Sequence, residues 1–298
     1  LGQSPDNDTQ WRYVLGFKPE GKGAQRILIS TEEVWQDGRC LFSRPDKHDK
    51  VDAMLLTQTR LEQIAANANF RDLADFFGSV TYLHLVPQLL KFAEKMGGQR
   101  LEDDPFGQGF LERIAKTTEK TRTARLNKIS KALMLAVPQF KELRFVKDEL
   151  GHPHLEALYS HHRPNAGWQS EEHFSDGTLR MLGLLWTLLD GNSLLLLEEP
   201  EISLNDAIVK EIPLILHRLQ RDKKIKRQII LSTHSEALLS NPGIDGRGVV
   251  VLETGSQGSV GRTLAVDESR ALEAGLSVAE VVLPKTRPTS VNQLGFWQ

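Results

Sequence analysis

Leu194-Leu-Leu-Leu-Glu-Glu-Pro-Glu201 sets four apolar residues in a row, then two adjacent carboxylates, then a proline that closes the run. A short continuous apolar run is the pattern of a strand buried on both faces, as the strands of parallel α/β sheets are. The run therefore predicts a central parallel strand, with its carboxylates emerging at the C-terminal end. In open α/β sheets that end is where ligands bind, and alternate strand side chains point to opposite sides. Glu198 and Glu199 can then take different tasks, one holding a metal and the other handling water.

Two flanking stretches supply matching chemistry. Upstream, Phe174-Ser-Asp-Gly-Thr178 precedes Leu179–Leu189, a stretch apolar almost all round that reads as a buried helix capped by Ser175 or Asp176. A helix start carries unpaired N–H groups and partial positive charge, and a preceding Ser and Gly let a phosphate approach the backbone. Downstream, Arg227-Gln-Ile-Ile-Leu231 reads as a second strand, ended by Ser232-Thr-His-Ser235, so His234 also sits at a strand's C-terminal edge.

In this order the three stretches resemble the signature, Walker B and switch-histidine motifs of ABC-type ATPases. Phe174-Ser-Asp-Gly-Thr-Leu-Arg180 and Glu199-Pro-Glu-Ile-Ser-Leu204 are most similar to the SMC/RecF-like and OLD-like branch, often grouped with AAA-type ATPases. The resemblance implies an α/β ABC-type P-loop ATPase head with a central, mostly parallel sheet, an antiparallel β subdomain and a short helical insertion. It implies ATP and Mg²⁺ as cofactors, with Glu198 on the metal where relatives usually have Asp. Glu199 would orient or deprotonate the attacking water, and His234 would donate to the γ-phosphate. By the same resemblance Ser175, Asp176, Gly177 and Thr178 serve ATP held by a second subunit, and Ser203 and Asn205 lie at the seam of a nucleotide-dependent homodimer.

The sequence contains no Gly-x-x-x-x-Gly-Lys-Ser/Thr; Glu20-Gly-Lys-Gly23 has the wrong spacing. The resemblance places a P-loop ahead of Leu1, in a segment that this chain is expected to have lost, and the chain alone is expected to be inactive. Two function classes stand: an ATP hydrolase acting in DNA repair or anti-phage defence, or a non-hydrolysing nucleotide sensor that gates a partner, such as a Toprim-type nuclease.

The remaining sequence divides into three expected regions: residues 1–95, a helical insertion or lid over 96–142, and residues 143–298. Trp11–Lys18, Arg26–Trp35 and Arg39–Phe42 read as a meander turning at Asp37-Gly38. Leu61–Phe77 has a helical period, Val80–Val86 reads as a strand, and Pro87-Gln88 falls where the family carries its Q-loop. Phe110, Ile114, Leu126, Ile129 and Leu133 form a helical apolar stripe, too short for long SMC arms. Leu143–Lys147 and His154–Ser160 read as a hairpin, Val249–Leu252 as the final strand, Glu268–Val282 as a helix and Pro284–Pro288 as a tail.

Composition excludes several classes. A formal net charge of −2 over 298 residues gives no global field toward nucleic acid, although the basic stretches Lys116–Lys131 and Arg221–Arg227 leave local DNA contact open. A single cysteine, Cys40, excludes an internal disulfide framework and fits a reducing cytosol. No apolar run approaches the roughly 20 residues of a membrane span, so a soluble, cytoplasmic protein is expected. His152, His154, His161, His162 and His173 lack the ligand spacing of a zinc site, and Asp6-Asn-Asp8 lacks the rest of a calcium loop.

Overall fold

The computed structural model describes residues 10–21, 26–92, 104–160, 167–220, 227–255 and 258–286. The Asp6–Asp8 stretch, His161 and His162, and all of the Arg221–Arg227 stretch but Arg227 lie outside the described residues. The chain forms two compact units, divided between Val80 and Thr81.

The first unit is built on an antiparallel meander of β1 (Trp11–Pro19), β2 (Ile27–Gln36) and β3 (Arg39–Arg44). Asp37 and Gly38 both take positive φ (48° and 76°), the conformation a two-residue hairpin turn demands. Val34 from β2 packs on Phe70 and Leu73 to make a small core. Beside it Arg44 reaches Asp49 at 2.7 Å and Glu32 at 3.3 Å, with all three side chains fully buried. Glu32 also accepts from the Tyr13 hydroxyl at 3.0 Å and from the Arg60 backbone N–H, and Arg44 donates to the Leu55 and Gln58 carbonyls. Asp49 belongs to the short helix α1 (Lys47–Val51), whose Asp46 cap and Asp49 satisfy each other's backbone N–H groups. The helix expected over Leu61–Phe77 begins only at Arg71, as α2 (Arg71–Ser79). The preceding chain is held in turns instead, because Glu32 takes the Arg60 and Leu61 N–H groups and the Asn67 amide donates to the Leu61 carbonyl.

The second unit holds a three-stranded parallel sheet, ordered β4 (Thr81–Leu83), β8 (Leu195–Glu198), β9 (Ile229–Ser232). Strand β4 is shorter than expected because the His84 and Val86 N–H groups leave the ladder for the Pro105 and Phe106 carbonyls. An antiparallel sheet of β5 (Phe140–Lys147), β6 (Pro153–Tyr159) and β7 (Trp168–Ser170) contains the expected hairpin. Helices α3 (Pro87–Lys91), α4 (Phe110–Lys116), α5 (Glu119–Ala136) and α6 (Asp176–Leu189) complete the body around the core. The stripe Phe110, Ile114, Leu126, Ile129 and Leu133 is buried with Leu182 and Trp186 of α6 in one cluster. The described helices of the 96–142 stretch, α4 and α5, thus contribute to this unit's core.

Beyond α7 (Asp206–Val209), α8 (Ile212–Gln220) and α9 (Glu236–Leu239), the final strand is half of a hairpin, β10 (Val250–Gly255) with β11 (Gly258–Thr263). The single helix expected over Glu268–Val282 is two, α10 (Val266–Glu273) and α11 (Val278–Thr286). Gly275, at φ 100°, breaks them, and Pro284 lies inside α11.

The parallel sheet also departs from burial on two faces. Leu83, Leu195 and Leu197 point into the core. Tyr82, Leu196 and Ile230, paired across the three strands, form the other face, where Tyr82 is 37% and Ile230 53% exposed. Leucine at every position of the run concealed this difference.

The buried charges of the first unit yield a prediction. Arg44→Met strands Glu32 and Asp49 without their cation, so equilibrium urea unfolding should show a stability loss of about 3–5 kcal/mol in that unit. An unchanged midpoint would refute the dependence of the meander on this ion network.

Candidate functional site

The site begins where β4, β8 and β9 end together. Glu198 pairs with Ser232 across the sheet, on the open face carrying Tyr82 and Ile230. Its side chain is 46% exposed, and it accepts a hydrogen bond from the Tyr82 hydroxyl. That hydrogen bond holds the Tyr82 phenol above its usual pKa, because it favours the protonated form. His84 Nδ1 lies 4.0 Å from the same carboxylate and is a buried atom without a hydrogen-bond partner among the described residues.

Glu199 leaves the strand with φ 41°, a left-handed conformation costing a non-glycine residue about 1–3 kcal/mol. Two backbone bonds hold it there: its N–H donates to the Ser232 carbonyl at 3.0 Å, and its carbonyl accepts from Ile202 N–H at 3.2 Å. The turn brings its carboxylate to His234 Nδ1. His234 is 80% exposed on its side chain and Glu199 29%, so the pair faces solvent. Two residues on, the buried Glu201 accepts from the Thr233 hydroxyl.

Ser175, Asp176, Gly177 and Thr178 form the start of α6. Ser175 is the N-cap, accepting from Thr178 N–H at 3.1 Å, and its hydroxyl lies 2.8 Å from the Thr178 hydroxyl. Asp176 accepts from Lys91 at 2.8 Å and Gln88 at 2.9 Å. Lys91 foremost, through that hydrogen bond, holds the Asp176 carboxyl below the usual range. Gln88, at the expected Q-loop position, thus lies on α3 and touches the helix start. A Cβ at Gly177 would stand 2.6 Å from the Ser203 carbonyl oxygen. This glycine accommodates the chain's own turn after β8. Ser203 has φ 64°, and Asn205 caps α7 by accepting from Ala207 N–H at 2.9 Å.

The structure therefore gathers Glu198, Glu199 and His234 at one sheet edge, and joins Ser175–Thr178 to Ser203–Asn205 through the Gly177 contact. Arg180 was not singled out by the sequence. Its Nε is buried without a hydrogen-bond partner among the described residues, beside a small pocket shared with Leu197, Glu198 and Pro200. Burial pushes its pKa down, opposed by the charges of Asp176 and Glu199. The pocket has room for about one water and cannot itself enclose a nucleotide. Tyr82 and His84 were missed because their roles arise from the parallel register, and Arg180 and Thr233, although inside the quoted motifs, because their contacts arise only in the fold.

Among the described residues no group of three or more His, Cys, Asp and Glu could hold a metal. The histidines have other partners: His152 Nδ1 lies 3.0 Å from Asp148, and His154 Nδ1 lies 2.8 Å from Glu171. Glu198 offers one half-exposed, hard carboxylate, which fits Mg²⁺ arriving with a phosphate ligand, since Mg²⁺ keeps several waters and takes one or two carboxylates. No helix among the described residues is long and apolar enough to cross a membrane.

The Gly177 contact is testable. A methyl group there improves helix propensity by about 1 kcal/mol but meets a backbone carbonyl that cannot rotate away. Gly177→Ala should therefore destabilise the chain by about 1–3 kcal/mol in urea unfolding. A more stable variant would show that α6 and the Ser203 turn are not in close contact.

Comparison with solved structures gives distant likenesses. The chain is similar to an Smc head bound to the C-winged helix domain of ScpA, at 14% identity over 82% of this chain and 68% of that one, with a TM-score of 0.45. The SMC head domain from Thermotoga maritima gives 12% identity, coverages of 87% and 76%, and a TM-score of 0.35. The recombination mediator RecF gives 14%, 87%, 82% and 0.29. No curated protein matches the sequence. Residues 2–240 match the family described as "AAA domain, putative AbiEii toxin, Type IV TA system". With a family match spanning most of the sequence, the chain belongs to this family of AAA domains.

Proposed function

We propose that this chain forms the catalytic face of an ATP-hydrolysing ABC-type head that dimerises on nucleotide and acts with a partner effector in DNA repair or anti-phage defence. The observation that carries the reading is the pairing of Glu199 with His234, beside the open carboxylate of Glu198. A carboxylate that can take a proton from water, and an imidazole that can donate to a phosphate oxygen, are the groups phosphoryl transfer to water needs. The β- and γ-phosphates also need a P-loop's N–H cradle and lysine, so hydrolysis is proposed for this chain together with such a segment.

In this reading Glu198 holds Mg²⁺, which when bound neutralises charge on the phosphates. Glu199 orients the attacking water and accepts its proton. His234 is held by Glu199 until nucleotide binds, then donates to the γ-phosphate. Ser175, Asp176, Gly177 and Thr178 close over ATP carried by a second subunit, with Ser203 and Asn205 at the seam. The partner is proposed as a Toprim-type nuclease or another effector, with DNA nearby and the cytoplasm as the compartment. The second reading is a non-hydrolysing sensor gating that partner.

In the chain joined to its P-loop segment, Glu199→Gln should abolish turnover while leaving ATP binding within about twofold, because the amide keeps the shape but takes no proton. Steady-state hydrolysis and calorimetry separate the outcomes. Full activity in this variant sinks the base assignment, and no turnover in the parent chain selects the sensor reading.

Dimerisation has its own test. Ser175→Arg removes a helix cap, at a cost of about 1 kcal/mol, and places bulk at the proposed seam. ATP binding should persist while ATP-dependent dimerisation and hydrolysis cease. Mixed with Glu199→Gln subunits, it should recover one working site per heterodimer. Heterodimers that bind ATP but recover nothing would exclude independent sites completed in trans.

A further inference from the structure

The motif Glu198-Glu-Pro-Glu201 ends in a carboxylate that the proposed chemistry does not use. Glu201 is 7% exposed, and its side-chain atom Oε2 is buried without a hydrogen-bond partner among the described residues. A polar atom left in that condition is destabilising, because the contact it lost with water is not replaced. An apolar residue would avoid the cost, so the carboxylate's retention calls for a reason.

The reason lies in its other oxygen. Glu201 Oε1 accepts from the Thr233 hydroxyl, whose oxygen in turn accepts from Ser235 N–H at 2.9 Å. Ser235 caps α9 by accepting from Leu238 N–H at 3.3 Å. Two rungs therefore join the turn after β8 to the loop after β9. One is the exposed pair Glu199 and His234; the other joins the buried Glu201 to the half-buried Thr233. The exposed rung, with an imidazole 80% in solvent, is weak alone, because solvent screens such pairs. The buried rung fixes both hydroxyl functions of Thr233, and with them the backbone from which His234 projects.

We infer that Glu201 and Thr233 are positioning residues that hold the His234 imidazole in register with Glu199. The inference rests on the proposed role of His234. Neither residue touches the reacting atoms; both act through the loop that carries the imidazole.

The test reads the imidazole directly and needs no nucleotide. In the 298-residue chain labelled with ¹⁵N-histidine, side-chain ¹H–¹⁵N spectra at one fixed pH report which ring nitrogen carries the proton. His234 is assigned by its loss in His234→Gln. In the parent chain Nδ1 should be protonated, since a carboxylate can only accept. Thr233→Val, which keeps the shape and removes the hydroxyl, should return His234 to the mixed tautomers of a free imidazole, as should Glu199→Gln. Thr233→Ser, which restores the hydroxyl, should return the parent signature. Thr233→Ala makes the same prediction as valine should the branched side chain disturb packing, and amide dispersion verifies the fold in each case.

An unchanged His234 signature in folded Thr233→Val or Thr233→Ala overturns the inference. If the signature shifts, the inference holds, even where the P-loop-bearing chain proves inert and the hydrolysis reading fails. In a chain that does hydrolyse ATP, Thr233→Val should lower kcat by about tenfold or more with KM within about twofold, since a small misplacement of a reacting group is enough for that loss. Thr233→Ser should recover most of the difference. A kcat that stays constant beside a shifted tautomer would remove His234 from the chemistry while leaving its positioning by Thr233 intact.

Discussion

The site depends on β8 being hydrogen-bonded on both sides in parallel register. Thr81, Leu195 and Ile229 are aligned across the three strands, so their C-terminal ends arrive together and in the same direction. That alignment brings Tyr82, His84, Glu198, Ser232 and His234 to one edge, although they are spread over more than half of the sequence. An antiparallel neighbour would have placed one partner at the opposite end. A one-residue slip would have turned Glu198 into the core, where an unpaired carboxylate is costly.

Around that edge the chain accepts local cost. Glu199 and Ser203 both adopt left-handed backbone, at φ 41° and 64°, within a single turn. Glycine would take either conformation freely, yet it would forfeit the carboxylate at one of them. Strain here is offset by the dense backbone bonding of the turn, with Ile202 and Leu204 N–H groups donating to the Glu199 and Glu201 carbonyls. The buried rung between Glu201 and Thr233 continues the same design on the other side of His234.

Much of this was legible in sequence. The leucine run, the capped apolar helix and the strand before Ser-Thr-His-Ser were each marked by local composition, and Asp37-Gly38 announced its hairpin. What escaped had no local sign. Leu196 is chemically the same as Leu195 and Leu197, so alternation of burial was hidden in the strand. Leu61–Phe77 has helical spacing, but its first part is captured by the Glu32 carboxylate, a contact 28 residues distant in sequence. The close approach of Gly177 to the Ser203 carbonyl likewise joins residues 26 apart in sequence. In each case a partner remote in sequence decided the outcome, and the site's neighbours Tyr82, His84 and Arg180 are remote partners of the same kind.

The open row of Tyr82, Leu196 and Ile230 bears on how strongly the site can act. Glu198 lies on the same face, two residues beyond Leu196, and so borders water. Two unit charges 4 Å apart interact with about 1 kcal/mol in bulk water and about 4 kcal/mol at an effective dielectric of 20. Any surface that covers the row exchanges the first environment for the second. The identity of the residues at the sheet edge then sets which charges meet, while the cover sets the strength of their interaction, so the two are separable properties of the same few ångströms of sheet.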